Sequence, residues 1–258
     1  RAVLDPAGGR IRAEVKVIRV EDENSFIKVL TLGQGVDGVR SGKSREAADN
    51  LFNLDACCAG VVIRSNFFGH HRGRSIVCKA VGARITDNRF ENVDGLAVGI
   101  LQESGWGEGP VPRDILIERN TFTGVHRLGS SPNPSIRTHV ARPGGQVEIP
   151  LIENVRIVSN LFENPRVGAM DIRNASGVRI LGNTIRSAKT NIHDFRLPAV
   201  MLMHSRDLVV DGLTVDDPET DVGVKVYATV PAGGAVLTNL RFRLSPAGQG
   251  VVDERPAR

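Results

Sequence analysis

A short pattern of apolar positions recurs seven times along the chain from residue 61 onward. Each copy has apolar residues at its first and third positions, Asn or Leu at its sixth, and an apolar residue at its eighth. The copies are Val61-Ile63-Asn66-Phe68, Ala83-Ile85-Asn88-Phe90, Ile115-Ile117-Asn120-Phe122, Val155-Ile157-Asn160-Phe162, Val178-Ile180-Asn183-Ile185, Leu208-Val210-Leu213-Val215 and Ala235-Leu237-Leu240-Phe242. Because apolar positions alternate, each copy predicts β-strand structure with one buried face.

The residue at the sixth position predicts a bend. Asn tolerates left-handed backbone geometry and bonds to its own backbone, and stacked Asn side chains can form a ladder of amide hydrogen bonds. Another apolar stretch follows each copy, so a repeat supplies about two strands and a turn and cannot bury its inner face alone. Repeats of this kind stack into a solenoid, and we predict an all-β fold, a right-handed parallel β-helix.

Residues 1–50 do not follow the repeat. Alternating apolar positions from Ile11 to Val20 and a second stretch from Ser25 to Leu32 predict a hairpin of a small barrel-like β subdomain. The segment 33–49 is rich in Gly, Ser and charge, and is interpreted as a connector. The predicted organisation is therefore a small β subdomain with its connector over 1–50, and a β-helix over 51–258.

Composition narrows the classes of function. The 258 residues carry a net charge of only +4, and the 33 basic residues are spread among 29 acidic ones. We therefore expect no basic surface patch of the kind that binds nucleic acid. No apolar run is long enough to span a membrane. Cys57, Cys58 and Cys78 lack metal or disulfide spacing, and no acidic cluster resembles a calcium site, so we expect neither metal nor cofactor.

The copies begin 22, 32, 40, 23, 30 and 27 residues apart, which places insertions at Gln102 to Arg113 and at His126 to Pro150. Insertions in consecutive coils project from one face and can wall a groove. Charged and aromatic residues flank the first insertion. We predict that they bind a sugar, because planar charged groups suit vicinal hydroxyls and an aromatic face suits the apolar side of the ring. The predicted substrate-binding residues are Arg72, Arg74, Glu103, Trp106 and Glu108.

Three of these residues also have a plainer interpretation. Arg72 and Arg74 could be solvated turn residues, and Glu103 could simply terminate the apolar strand before it. His70 and His71 adjoin the arginines, whereas His126, His139, His193 and His204 stand apart and are interpreted as ordinary surface or core groups.

The segment Val61-Val62-Ile63-Arg64-Ser65-Asn66-Phe67-Phe68, leading into His71-Arg72-Gly73-Arg74, resembles glycoside hydrolase family 110. So does Gly99-Ile100-Leu101-Gln102-Glu103, followed by Trp106-Gly107-Glu108-Gly109-Pro110 and Asn120-Thr121-Phe122. The resemblance spans about residues 1–190 and is most specific over 61–122. It implies an exo-acting, inverting α-1,3-galactosidase within a pectate-lyase-like β-helix, a glycan with terminal galactose as partner, and a secreted or periplasmic location.

One feature departs from that family. Its catalytic aspartates are expected before the barrel insertion, and 1–50 contains no matching pair. The resemblance therefore places the aspartates upstream of Arg1 and leaves Glu103 as the candidate catalytic residue within the chain. Two other functions stay open. The first is a lyase or epimerase on acidic polysaccharide, in which basic residues neutralise the uronate and abstract a proton. The second is a β-helix that binds glycans without turnover.

Overall fold

A computed structural model of the chain describes residues 2–6, 11–42, 48–103, 109–126, 132–142, 145–188 and 197–256. Five strands and a single-turn 3₁₀ helix (Leu54–Ala56) precede the repeats: β1 (Ala2–Pro6), β2 (Glu14–Val15), β3 (Val17–Asp22), β4 (Lys28–Leu32) and β5 (Asp49–Asn53). Strand β1 pairs antiparallel with both β2 and β5, and β3 pairs with β4 as a hairpin. The predicted hairpin is present within this small N-terminal region.

Seven coils follow within the described ranges. Their strands are β6 (Val62–Arg64), β7 (Phe67–Gly69), β8 (Ile76–Cys78), β9 (Arg84–Thr86), β10 (Arg89–Glu91), β11 (Val98–Glu103), β12 (Arg113–Glu118), β13 (Thr121–Thr123), β14 (Ile136–Arg142), β15 (Gly145–Gln146), β16 (Ile152–Val158), β17 (Leu161–Glu163), β18 (Met170–Arg173), β19 (Ala175–Leu181), β20 (Thr184–Arg186), β21 (Val200–Met203), β22 (Arg206–Asp211), β23 (Thr214–Asp216), β24 (Val222–Val226), β25 (Ala235–Thr238), β26 (Arg241–Arg243) and β27 (Gln249–Asp253). Each coil contributes three of these strands, and β15 is a short antiparallel addition to β14.

Equivalent strands of successive coils pair in parallel and form three sheets. The first sheet runs from β6 to β25, the second from β7 to β26, and the third from β8 to β27. Three parallel sheets stacked in register are typical of a parallel β-helix, and the predicted fold class is confirmed. The count of strands per repeat differs from the prediction, because the bend divides the eight-residue pattern into two strands on separate sheets.

A ladder of asparagines lies at that bend. Asn66, Asn88, Asn120, Asn160 and Asn183 occupy equivalent places in five successive coils, and the Nδ2 of each of the first four donates to the Oδ1 of the next Asn at 3.0–3.1 Å. The same Oδ1 also accepts the backbone N–H of the preceding Asn at 2.9 Å. The left-handed backbone, however, belongs to the residue before each Asn, such as Ser65, Asp87 and Arg119. The Asn is therefore used for its inward-facing amide rather than for its own backbone freedom.

Stacked aromatic rings fill the core beside the ladder. The rings of Phe68, Phe90, Phe122 and Phe162 follow one another at 4.8–5.0 Å between centroids, inclined by 7–8°. Phe90, Phe122 and Phe162 are almost wholly buried, as are the Ile and Val residues of the second to sixth copies of the repeat, whereas Val61 and Ile63 of the first copy are partly buried. The coils thus share one continuous core, which fixes the position of each outward-facing residue along the helix axis.

Candidate functional site

A groove of about 610 Å³ runs across the first three coils, beside the third sheet. Its lining comes from equivalent places in successive coils, namely the turn that leads into the third sheet and the outward face of that sheet. The lining residues are Arg72, Gly73, Arg74, Asp94, Gly95, Leu96, Leu101, Glu103, Asn133, Arg137 and His139.

The turn that carries the two arginines lies directly against the next coil. The Gly95 N–H donates to the Gly73 carbonyl at 2.9 Å, and Gly73 itself has a positive φ of 101°. A Cβ on Gly95 would lie 2.4 Å from that carbonyl oxygen, closer than any real contact allows. Glycine at position 95 therefore lets the arginine turn approach the second coil and keeps Arg72 and Arg74 at the rim of the groove.

Glu103 is held by two cations. Its carboxylate lies 3.1 Å from Arg74 Nη1 and 3.2 Å from Lys79 Nζ, one oxygen toward each. The Lys79 side chain is only 8% exposed and that of Glu103 22%, so solvent screens the pair weakly. The carboxylate at the end of β11 is consequently fixed in position, with its partners drawn from the coil below.

The structure brings some of the predicted sugar-binding residues together. Arg72, Arg74 and Glu103 line the same groove, whereas Trp106 and Glu108 lie outside the described residues. Arg72 is exposed and makes no side-chain ion pair with any residue that the structure describes. The neighbouring histidines do not line the groove: the ring of His71 contacts Ser75 Oγ at 3.0 Å, and that of His70 lies 3.7 Å from Glu91.

A second polar cluster, which the sequence analysis did not single out, occupies the same face. On the outer side of the third sheet, Arg137 of β14 pairs in register with Asp171 of β18. Arg137 Nε donates to Asp171 Oδ2 at 3.0 Å, and Arg173 Nε donates to Asp171 Oδ1 at 2.7 Å. His139 follows two residues after Arg137 and lines the groove. We refer to Arg137, His139, Asp171 and Arg173 as the coil 3–4 cluster.

The cluster carries more positive than negative charge. Burial lowers the pKa of His139, and the neighbouring Arg173 and Arg137 lower it further, so the imidazole is neutral at pH 7. Burial also lowers the pKa of Arg137, although a guanidinium remains charged. Asp171 is the one carboxylate of this cluster, and its side chain has no exposed surface. It pairs with both guanidinium groups, so the cluster has a net positive charge.

The signal for this cluster was present in the sequence. Ile136-Arg137-Thr138-His139-Val140 and Met170-Asp171-Ile172-Arg173 alternate apolar with polar residues, which turns the arginines, the histidine and the aspartate outward. The sequence alone did not give their register, because an insertion separates the two coils. His139 was interpreted as an isolated histidine for that reason.

The described residues contain neither a metal site nor a membrane-spanning helix. No group of three or more His, Cys, Asp or Glu side chains there could hold a metal ion. Within the same ranges, no helix has the length and apolar character needed to cross a membrane.

Comparison with known proteins gives distant similarities. No protein-family model matches the chain. It is 24% identical over 136 residues to α-1,3-galactosidase A of Bacteroides fragilis (strain YCH46), a match that covers 52% of this chain and 22% of that enzyme's length. Among solved structures, the A-module of the mannuronan C-5 epimerase AlgE6 of Azotobacter vinelandii is similar with a TM-score of 0.44 and 16% identity, over 77% of this chain and 59% of that one.

Proposed function

We propose that this chain is part of a carbohydrate-active enzyme, an inverting glycoside hydrolase that removes terminal α-1,3-linked galactose from a glycan. In this proposal Arg72, Arg74, Glu103, Trp106 and Glu108 orient the sugar. The observation that carries it is the fixed Glu103 carboxylate between Arg74 and Lys79 in the groove. The distant similarity to α-1,3-galactosidase A supports the choice of substrate.

The chemistry of the groove fits the binding of a sugar. A guanidinium and a carboxylate side by side offer both donors and acceptors, which is what adjacent hydroxyl groups require. The geometry of Glu103 is set by ion pairs from the preceding coil, so little ordering is required when a ligand binds. Arg72 adds an exposed guanidinium at the rim of the same groove.

Inversion requires a general acid and a general base roughly 6.5–9.5 Å apart, with a water molecule between them. We propose that these groups are aspartates supplied by sequence beyond this chain, and that the chain contributes the substrate-binding part of the site. A secreted or periplasmic location belongs to the same proposal, and fractionation of the cells that produce the protein tests it.

The test is hydrolysis of α-1,3-galactobiose by the full-length protein. Glu103→Ala and Trp106→Ala are each expected to reduce kcat/KM strongly. The matched control is Glu163→Ala, since Glu163 also ends a strand and pairs with an arginine, Arg186, but lies on the second sheet. Wild-type activity in both groove variants would overturn the proposed site.

Other products would point to the other functions. Unsaturated sugars that absorb in the ultraviolet, formed from an acidic polysaccharide, would identify a lyase. Tight glycan binding without any turnover by the full-length protein would identify a non-catalytic β-helix. Either result would refute the hydrolase.

A further inference from the structure

We propose that the coil 3–4 cluster is a binding site for an anionic group, the carboxylate or sulfate of an acidic sugar within the bound glycan. This inference rests on the proposed function only in taking the groove to be a glycan site. It adds that the glycan is acidic, and that Arg173 recognises its charge.

The first argument is the unbalanced charge of the cluster. Arg137 and Arg173 keep only 20% and 24% of their side-chain surface exposed, and they share a single carboxylate, that of Asp171. A partly buried charge is costly unless it is paired. His139 cannot supply the missing negative charge, because a histidine is either neutral or positive. An anionic ligand would complete the cluster.

The second argument concerns the donors that remain. Arg137 uses all three guanidinium nitrogens within the protein: Nε on Asp171, Nη1 on Asn133 Oδ1 at 3.2 Å, and Nη2 on the Pro132 carbonyl at 2.7 Å. Arg173 uses only Nε, on Asp171, and its two Nη groups have no hydrogen-bond partner among the described residues. Arg137 therefore holds Asp171 in place, and Asp171 in turn orients Arg173 with a free fork of donors.

The free fork has the shape that anions prefer. The two Nη groups of a guanidinium can donate in parallel to two oxygens of one carboxylate or sulfate, and such charge-assisted pairs are the strong ones. The wider groove has the same sign of charge. Its described lining has three guanidinium groups, of Arg72, Arg74 and Arg137, and two carboxylates, of Asp94 and Glu103. The ion pairs of this lining and of the cluster add two more cations, Lys79 and Arg173, and one more carboxylate, Asp171.

The position of the cluster also suits a chain of sugars. Thr138 pairs with Ile172, so His139 stands level with Arg173 on the next coil. Glu103 ends β11 one coil before β14, on the same sheet. A glycan whose terminal sugar lies beside Glu103 could thus extend along the coils and place its next unit near Arg173.

The experiment compares binding of three oligosaccharides of equal length to the whole chain by calorimetry: a neutral galactan, an oligogalacturonate and a sulfated galactan. We expect at least one acidic ligand to bind about tenfold or more tightly than the neutral one. Arg173→Met should abolish that preference, because it lowers the affinity for the acidic ligand far more than the affinity for the neutral one. Arg173→Lys keeps the positive charge but not the two parallel donors, and it should retain part of the preference for the acidic ligand. Partial retention would show that the loss in Arg173→Met does not come from misfolding. The control is Arg179→Met, an arginine of the first sheet that pairs with Asp207.

The outcomes separate this inference from the proposed function. Equal affinity for the neutral and acidic ligands would overturn the anion site and leave the hydrolase proposal standing. An acidic preference that persists in Arg173→Met would also overturn it. If none of the three ligands binds to the chain, the proposed glycan groove fails as well. A preference for galacturonate alone, or for the sulfated ligand alone, would support the site and identify which anion it takes.

Discussion

The Arg173 Nε lies 2.7 Å from Oδ1 of Asp171, a carboxylate whose side chain has no exposed surface. Since Arg137 contacts the other oxygen at 3.0 Å, one buried negative charge stabilises two guanidinium groups. We predict that Asp171→Asn lowers the free energy of unfolding by about 3–5 kcal/mol, because it leaves both arginines without a counter-charge. Urea denaturation followed by circular dichroism measures the change.

The matched control is Asp207→Asn. Asp207 also pairs with an arginine, Arg179, at 3.0 Å, but 61% of its side chain is exposed. Loss of an exposed pair should change the free energy of unfolding by about 1 kcal/mol or less. Similar losses in the two variants would contradict the special role assigned to Asp171.

A second prediction concerns the arginine turn. Gly95→Ala would place a methyl group 2.4 Å from the Gly73 carbonyl oxygen, which is backbone and cannot rotate away. The turn must shift, so we expect weaker binding of galacto-oligosaccharides together with lower stability. Gly35→Ala is the control, because an added Cβ there meets nothing within 4 Å. Unchanged binding by Gly95→Ala would show that the close approach of these coils does not position the groove.

The asparagine ladder leads to a third prediction. Asn120 is 1% exposed, and its side chain accepts from Asn88 while donating to Asn160 and to the Ile85 carbonyl. Asn120→Ala leaves several buried groups without partners, and we expect a loss of about 2–4 kcal/mol, since each unsatisfied group costs about 1–3 kcal/mol. Thermal and urea unfolding should agree on the size of the loss.

Asn66→Ala provides the comparison within the same ladder. Asn66 occupies the equivalent position in the first coil but is exposed and has an Asn neighbour on one side only, within the described coils. Its replacement should cost clearly less than that of Asn120. An equal cost at both positions would mean that burial of the ladder contributes little.

The pH dependence of stability supplies a fourth prediction. Burial, Arg173 and Arg137 together hold the pKa of His139 below its ordinary value of 6.5. Between the lowered and the ordinary pKa, the unfolded state therefore binds more protons than the folded state. The free energy of unfolding should decrease as the pH falls from about 7 through 6.5 and below, and the stabilising contribution is fully present above that range.

His139→Gln should flatten this dependence, because the group that takes up the proton on unfolding is gone. Denaturation midpoints measured at closely spaced pH values test it. The control is His71→Gln, whose ring contacts Ser75 rather than a pair of arginines. A slope unchanged in His139→Gln would assign the effect to other groups.

Much of the fold was predictable from the repeat. Alternation around Val61-Ile63 and its later copies identified strands, and the recurrent Asn identified a bend, because both signals lie within eight consecutive residues. The division into three sheets was not predicted, since the bend is so tight that two short strands look like one. The left-handed residue before each Asn was also missed, because Ser65, Asp87 and Arg119 share no residue type.

The candidate site was predictable only where local sequence pointed to it. The Arg72–Arg74 turn and Glu103 stood out beside an insertion, and the structure places them in one groove. The contacts of Asp171 with Arg137 and Arg173 depend on register between coils, and 34 residues separate Arg137 from Asp171. Local patterns carry no information at that distance.

The asparagine ladder has a consequence for the evolution of this molecule. Repeats that begin between 22 and 40 residues apart each place one Asn directly against the Asn of the preceding coil. The length of an insertion therefore does not alter the position of the next strand along the helix axis. Insertions and deletions can therefore reshape the walls above the groove while the polar groups at its base stay where they are. Natural selection could thus change the size of glycan that fits the groove without changing the residues that bind it.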